Sequence, residues 1–265
     1  MRKILIVGNW KMHLNASQAS LLVHRLQERI KIYRDIEVVL APSMLTLQPL
    51  SLQIDRRKFR LAAQNAYFRD EGPFTGEVSF NMLRDIVHYV IIGHSERRQL
   101  FHDNLATVRD KMAAAVRNEI VPILCVGETQ QEREDKETKQ VLHDQLMTAL
   151  SNLTAAEVAD VVIAYEPIWA IGQVTAKPGQ VAEAVTYVRG YVRDVFGEKV
   201  AKNIRILYGG DVAPEVVHGL LDVPGVDGFL VGHGSLNYET FAAIVEATHR
   251  WQRNNNGEMA PVKGE

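Results

Sequence analysis

The stretch Val161-Val162-Ile163-Ala164-Tyr165-Glu166-Pro167-Ile168-Trp169-Ala170-Ile171-Gly172 carries the clearest structural signal in the chain. An apolar run ends abruptly in a carboxylate, a proline and a mostly apolar loop. The run reads as a short strand buried on both faces, and Pro167 cannot continue the pairing of a sheet. Glu166 therefore stands at a strand's exit, where a rigid scaffold presents groups to a ligand. A lone glutamate at such a place is ordinarily a solvated residue, so its meaning depends on what surrounds it.

Working outward, the same kind of apolar run recurs along the whole chain: Ile4 to Val7, Val38 to Ala41, Arg60 to Ala63, Tyr89 to Ile92, Val121 to Val126, Val161 to Tyr165, Ile204 to Tyr208 and Gly228 to Val231. Each is continuous rather than alternating, as expected for parallel strands covered on both faces. Between them lie amphipathic patterns. Ser17 to Ile30 places Leu21, Leu22, Leu26 and Ile30 on one predicted face, with Asn15 or Ser17 available as a cap. Leu105 to Asn118, Thr138 to Leu150, Val181 to Phe196 and Tyr238 to Arg250 read the same way. Pro178 and Pro214 stand near helix starts, where a missing N–H costs nothing. Strand-then-helix repeated about eight times in about 250 residues predicts an α/β chain folded as a single (β/α)8 barrel. An open doubly wound sheet is the alternative, but Gly8-Asn9-Trp10-Lys11-Met12-His13 is no dinucleotide-binding turn. The barrel is expected over residues 1–252. The tail 253–265 lacks periodicity and is expected to be disordered, and Gln130 to Lys139 reads as a solvated helix start or loop.

Composition narrows the class. Of 265 residues, 46% are hydrophobic and 23% charged, with a net charge of −2, which is ordinary for a globular domain with a large core. Lysine and arginine are spread along the chain, so no nucleic-acid or membrane partner is expected. The apolar run after Met1-Arg2-Lys3 is too short for a leader's core, and no segment is long enough to cross a bilayer. Cys125 is the single cysteine, which excludes an internal disulfide and a thiolate metal cage and makes the cytoplasm the expected location. His13, His24, His88, His102, His143, His218 and His249 show no metal-ligand spacing, so no metal is expected.

In a closed barrel the chemistry gathers at the C-terminal ends of the strands. Asn9 and Lys11 follow the first strand, Gln64-Asn65 the third, and His94-Ser95-Glu96 the fourth. Gly127-Glu128 follow the fifth, Glu166 the sixth, Gly209-Gly210-Asp211 the seventh, and Gly232-His233-Gly234 the eighth. Each has an ordinary reading alone: Lys11 a surface cation, His94 a helix-capping histidine, Glu96 an acid at a helix start, the glycines tight turns. Together, a carboxylate, an imidazole and an ammonium can move a proton from carbon and stabilise the oxyanion that results. The last two glycine-bearing turns lie where such barrels hold phosphate through backbone N–H groups.

The motifs Gly8-Asn9-Trp10-Lys11-Met12, Ala63-Gln64-Asn65, Phe74-Thr75-Gly76-Glu77-Val78-Ser79, Ile92-Gly93-His94-Ser95-Glu96-Arg97-Arg98, Leu124-Cys125-Val126-Gly127-Glu128-Thr129, Ala164 to Gly172 and Leu207-Tyr208-Gly209-Gly210 carry a resemblance. The sequence resembles the triosephosphate isomerase family over all but its tail. The resemblance implies interconversion of dihydroxyacetone phosphate and glyceraldehyde 3-phosphate with neither cofactor nor metal. It implies Glu166 as the base, His94 as the electrophile and Lys11 as the cation supporting enediolate and phosphate charge. Asn9 would orient the substrate, Glu96 would support the site from behind, and the amide of Gly172 would meet the phosphate with the Asp211, Gly232 and His233 turns. It further implies a homodimer, with the loop around Phe74-Thr75 inserted near the partner's site.

Three departures stand out. The lid Ala170-Ile171-Gly172-Gln173-Val174-Thr175-Ala176 is one residue shorter than the family's and lacks its second glycine and its lysine. Asp211 replaces a serine after the seventh strand, and Gly232-His233-Gly234-Ser235 replaces the usual Gly-Gly-Ala-Ser after the eighth. A carboxylate about 4 Å from a phosphate is repelled by roughly 4 kcal/mol per unit charge at an effective dielectric near 20. Asp211 is therefore expected either to pair with His233 or to cap the following helix. These changes also motivate two alternatives: the same proton transfer on a four-carbon ketose phosphate, and a non-catalytic barrel that serves as a binding or scaffold protein.

Overall fold

The computed structural model describes residues 3–172 and 175–255. Eight parallel strands, β1 (Ile4–Asn9), β2 (Ile36–Ala41), β3 (Phe59–Ala63), β4 (Tyr89–Ile92), β5 (Val121–Val126), β6 (Val162–Tyr165), β7 (Arg205–Tyr208) and β8 (Gly228–Val231), close in sequence order into one barrel. This is the predicted (β/α)8 fold. Nearly every strand residue is buried, because helices cover the outside and side chains fill the inside.

Two apolar layers follow from the period-2 alternation of the strands. Leu5, Val7, Val39, Ile91, Cys125, Ala164, Leu207 and Leu230 belong to the barrel interior, while Ile6, Leu40, Ile92, Leu124, Ile163 and Ile206 pack with the helices. The same alternation carries Asn9, two residues beyond Val7, and Glu166, two beyond Ala164, onto the inward face at the barrel's C-terminal end. Closure between β1 and β8 depends on Gly228: a Cβ there would lie 1.9 Å from the carbonyl oxygen of Leu5, and its φ of +143° suits glycine alone.

Helix Ala16–Arg29 starts at Asn15, whose side chain accepts from the Gln18 amide while Gln18 returns the bond in a capping box. Its buried face is Ala19, Leu22, Val23 and Leu26; Leu21, expected inside, is 49% exposed because it lies one position off the 3.6-residue stripe. Pro178 occupies the first turn of helix Pro178–Phe196, as its missing donor permits. Pro214 instead lies in a turn ahead of helix Val217–Leu221. The stretch after Thr129 forms a short capped helix, Gln130–Glu134, before helix Thr138–Leu150. The last helix, Tyr238–Asn255, runs three residues past the boundary read at 252. The remainder of the expected tail, 256–265, and Gln173-Val174 of the lid lie outside the described residues.

Candidate active site

Lys11 leaves β1 in the left-handed region, with φ 51°. For a lysine this costs roughly 1–2 kcal/mol, and both of its backbone groups are clamped. The amide donates to Asn9 Oδ1 at 3.1 Å, and the carbonyl accepts from Gln64 Nε2 at 2.8 Å. Gln64 also donates to the Ala41 carbonyl at 2.9 Å, tying the exits of β1, β2 and β3 together. The strained backbone turns the ammonium into the mouth of the barrel, where Nζ meets Glu96 Oε1 at 2.6 Å.

His94 follows Gly93, whose φ of +71° lets the chain turn sharply out of β4. It caps helix Ser95–Leu100: the Glu96 amide donates to Nδ1 at 3.3 Å. A donor aimed at Nδ1 requires a lone pair there, so the proton resides on Nε2. That nitrogen lies 3.2 Å from Glu166 Oε1, while Glu166 Oε2 accepts from the Ser95 amide at 3.4 Å. Glu166 and His94 are 4% and 6% exposed, so this contact forms out of bulk water, where electrostatic effects are strong. The turn after β7 leaves room for it. A Cβ at Gly209 would come within 2.7 Å of Glu166 Cγ.

A pocket of about 530 Å³, including its open mouth, is walled by Asn9, Lys11, His94, Glu166, Gly172, Asp211, Gly232 and His233. Eight of the nine residues expected at the site therefore share one cavity. Glu96, the ninth, sits in the adjoining cleft and reaches the site through Lys11. Gly232 brings backbone close to the lysine, since a Cβ there would lie 3.6 Å from Lys11 Cε.

Asp211 departs from expectation. No hydrogen bond or ion pair joins its carboxylate to His233 among the described residues, and helix Val217–Leu221 begins at Val216 with no side-chain cap. The side chain is exposed, and only its carbonyl is engaged, by Thr175 Oγ1 of the lid at 3.2 Å. Exposure lowers the repulsion on the pocket without a partner, because water solvates the charge.

Three further residues shape the site, of which the sequence placed only Glu128 at a strand exit and gave it no role. Glu128, fully buried, accepts from Arg133 (2.9 Å), Tyr165 OH (3.1 Å) and Trp169 Nε1 (3.0 Å), anchoring the start of the lid to β5. Burial and the Glu128 charge push the Tyr165 hydroxyl far up, so it stays a donor. Tyr208 OH accepts from the Ala176 amide at 3.0 Å and anchors the lid's other end. Arg98 donates to the carbonyls of Gly93 (2.7 Å) and Cys125 (3.0 Å), fixing the turn that carries His94. A buried carboxylate directly after an apolar strand was the available sign for Glu128; the other two depend on contacts between distant segments. Cys125 is buried, and burial together with the nearby Glu166 charge pushes its thiol well up, which makes it inert at neutral pH.

The model of the triosephosphate isomerase family matches residues 4–248. The chain belongs to the triosephosphate isomerase family. It is 44% identical over 248 residues to the triosephosphate isomerase of Syntrophotalea carbinolica, covering 93% of this chain and 98% of that protein. It is likewise 44% identical over 250 residues to that of Chloroherpeton thalassium, covering 93% and 99%, and 43% identical over 247 residues to that of Citrifermentans bemidjiense. Membership of the triosephosphate isomerase family makes the chain an intramolecular aldose–ketose isomerase. A glutamate facing a histidine at a helix N-terminus is an arrangement known from triosephosphate isomerases.

Proposed function

We propose that the protein interconverts dihydroxyacetone phosphate and glyceraldehyde 3-phosphate through an enediolate, with Glu166, His94, Lys11 and Glu96 as its working groups. The observation that carries this reading is the convergence of Glu166, His94 and Lys11 on one pocket large enough for a three-carbon phosphate. Glu166 takes a proton from one carbon and returns it to the next. The Nε2–H of His94 and the Lys11 ammonium stabilise the oxyanion between those steps. Glu166 Oε1 and His94 Nε2 lie 3.2 Å apart before substrate arrives, so binding exchanges that contact for contacts to the reacting atoms. Glu96 holds the ammonium in position, and Asn9 sets the Lys11 backbone while lining the pocket. The lid glycine Gly172 and the Asp211, Gly232 and His233 turns surround the phosphate end. No metal or cofactor has a role in this chemistry.

The proposed assembly is a homodimer. Met12, Leu45, Met82 and Phe101 are 96%, 79%, 63% and 63% exposed, and Met12 and Phe101 border the cleft that adjoins Lys11 and Glu96. Exposed apolar side chains gathered beside a cleft favour a protein partner. The loop at Phe74-Thr75 is braced from within for such a docking: Phe74 packs tilted against Tyr67 with ring centroids 4.7 Å apart, and the Glu77 amide returns to the Phe74 carbonyl. Light scattering should then give twice the chain's mass. We place the enzyme in the cytoplasm, where phosphorylated sugars are handled and the lone thiol of Cys125 stays reduced. No helix among the described residues is long and apolar enough to cross a membrane.

A coupled assay on purified protein, run in both directions on the two triose phosphates and then on four-carbon ketose phosphates, tests the reading. Turnover of the four-carbon compounds with none of the trioses would overturn it.

A further inference from the structure

The N-terminal end of the barrel carries chemistry that the catalytic end does not use. The segments leading into β1, β2 and β3 bring Lys3, then Lys31 and Arg34, then Arg56, Arg57 and Lys58 to one cleft, and Arg60 joins them from within β3. These residues are dispersed in sequence. Strand register sets them side by side, since β1 pairs with β2 from Ile4↔Ile36 and β2 with β3 from Val38↔Phe59. The cleft measures about 910 Å³ including its open mouth, and Glu37 is the one acid among the described residues that line it.

The nearby acids are already committed. Glu37 is shared between Arg60 (3.0 Å) and Arg205 (2.8 Å), so two guanidinium groups face one carboxylate. Asp55 is held by Arg57 at 2.9 Å, and Asp35 faces His249 Nδ1 at 2.9 Å. Lys58 donates to the Gln27 carbonyl, a dipole rather than a charge. Lys3, Lys31, Arg34 and Arg56 have no ion-pair partner among the described residues. A surplus of four cations in one concavity, on a chain of net charge −2, makes a local field opposite to the protein's own. The floor, Val38 and Phe59, is buried and apolar, which strengthens that field.

We propose that this cleft binds an oligophosphate chain, either free polyphosphate or the triphosphate of a nucleotide. The cations are spread across three neighbouring strand starts, about 10 Å at a spacing near 4.8 Å. A single phosphate cannot reach both edges, whereas consecutive phosphates can. Arginines such as Arg34 and Arg56 suit phosphate oxygens through paired N–H donors. A duplex presents its phosphates on a convex surface, which a recessed cleft fits less well than a flexible phosphate chain. The site lies at the opposite end of the barrel from Glu166, so it does not depend on the isomerase reading.

The test is calorimetric titration of the purified protein with tripolyphosphate, ATP, orthophosphate and a single-stranded DNA 20-mer, at about 0.1 M salt, where distant charges are screened. Tripolyphosphate should bind one per chain, and more tightly than orthophosphate. The double variant Arg34→Ala/Arg56→Ala should lose at least about tenfold in affinity, the scale of one charge-assisted contact, with kcat/KM for isomerisation unchanged. Lys11→Ala should keep the binding. ATP binding as tightly as tripolyphosphate assigns the site to the phosphate chain alone, and tighter ATP binding assigns it to a nucleotide. No binding would overturn the proposal. So would binding lost in Lys11→Ala yet kept in the double variant, which places the ligand in the catalytic pocket. DNA binding as tight as tripolyphosphate would reduce the cleft to an unspecific basic surface and equally refute it.

Discussion

Gly209→Ala isolates the placement of the proposed base, Glu166, from its chemistry. The added Cβ would stand 2.7 Å from Glu166 Cγ and 3.4 Å from Glu166 Oε1, while its other near neighbour, Leu230 Cβ, lies at an ordinary 3.5 Å. Carbon atoms in contact prefer about 3.6 Å, so Glu166 must retreat by about 0.9 Å. It cannot do so and keep its neighbours, because Oε1 lies 3.2 Å from His94 Nε2 and Oε2 accepts from the Ser95 amide. A displacement near 1 Å costs roughly 10²-fold in a reaction that depends on alignment. The three atoms nearest the added methyl belong to Glu166 and Leu230 and none to Lys11 or to the turn after β8, so kcat should fall about that far while KM moves much less. Steady-state rates on both triose phosphates, with the melting temperature as a check on folding, measure this. A folded variant with kcat within about threefold of the parent would refute the idea that Gly209 reserves the space of the base.

Replacing Glu166 with Ala should lower kcat by at least about 10²-fold, the lower range for a positioned acid–base group; a coupled assay with retained activity would remove it from the mechanism. Asp211→Ser together with His233→Gly should lower KM, because the unpaired carboxylate beside the phosphate end is removed, and an unchanged KM would show that its charge is fully screened. Glu128→Gln should destabilise the fold by about 1–3 kcal/mol, less than severing a fully buried pair because Arg133 keeps contact with water; thermal unfolding reads this directly. For Asp103, burial pushes the carboxyl up, yet hydrogen bonds from Arg97 (2.8 Å) and Lys111 (2.6 Å) outweigh it and hold it below the usual range. A depressed folded value stabilises the native state above the unfolded value near 3.9 and loses that effect as pH falls through the folded one. The stability gap between the parent and Asp103→Asn should therefore be full at neutral pH and close in acid below about pH 4, as denaturant titrations at several pH values would show.

The strands were legible because parallel strands covered on both faces must be apolar throughout; β4, β5 and β8 begin and end where the apolar runs do. Helix Met44–Gln53 was not, since Met44, Leu45, Leu47, Leu50 and Leu52 surround its axis without a polar face and Pro49 interrupts it. Leu45 and Leu52 remain 79% and 86% exposed, so the apolar residues there do not mark one buried stripe. Leu21 failed for a related reason: one residue's rotation moves a side chain by about 100° around a helix, enough to leave the core. In the site, Asn9, Lys11, His94 and Glu166 were readable as groups at strand ends. The roles of Glu128, Arg98 and Tyr208 were not, because they consist of bonds to segments far away in the chain.

By itself, the sequence determined the order of eight strands, the carboxylate, imidazole and ammonium at their exits, and the family. These are local facts of period and residue type, repeated often enough to admit one closed parallel sheet. Only the tertiary structure decided that Glu166 and His94 lie 3.2 Å apart, that the exposed Asp211 carboxylate does not pair with His233, and that cations from three separate segments share one cleft. The reason is closure: joining β8 to β1 fixes the register of every strand, and register, which no single segment encodes, sets which distant side chains meet.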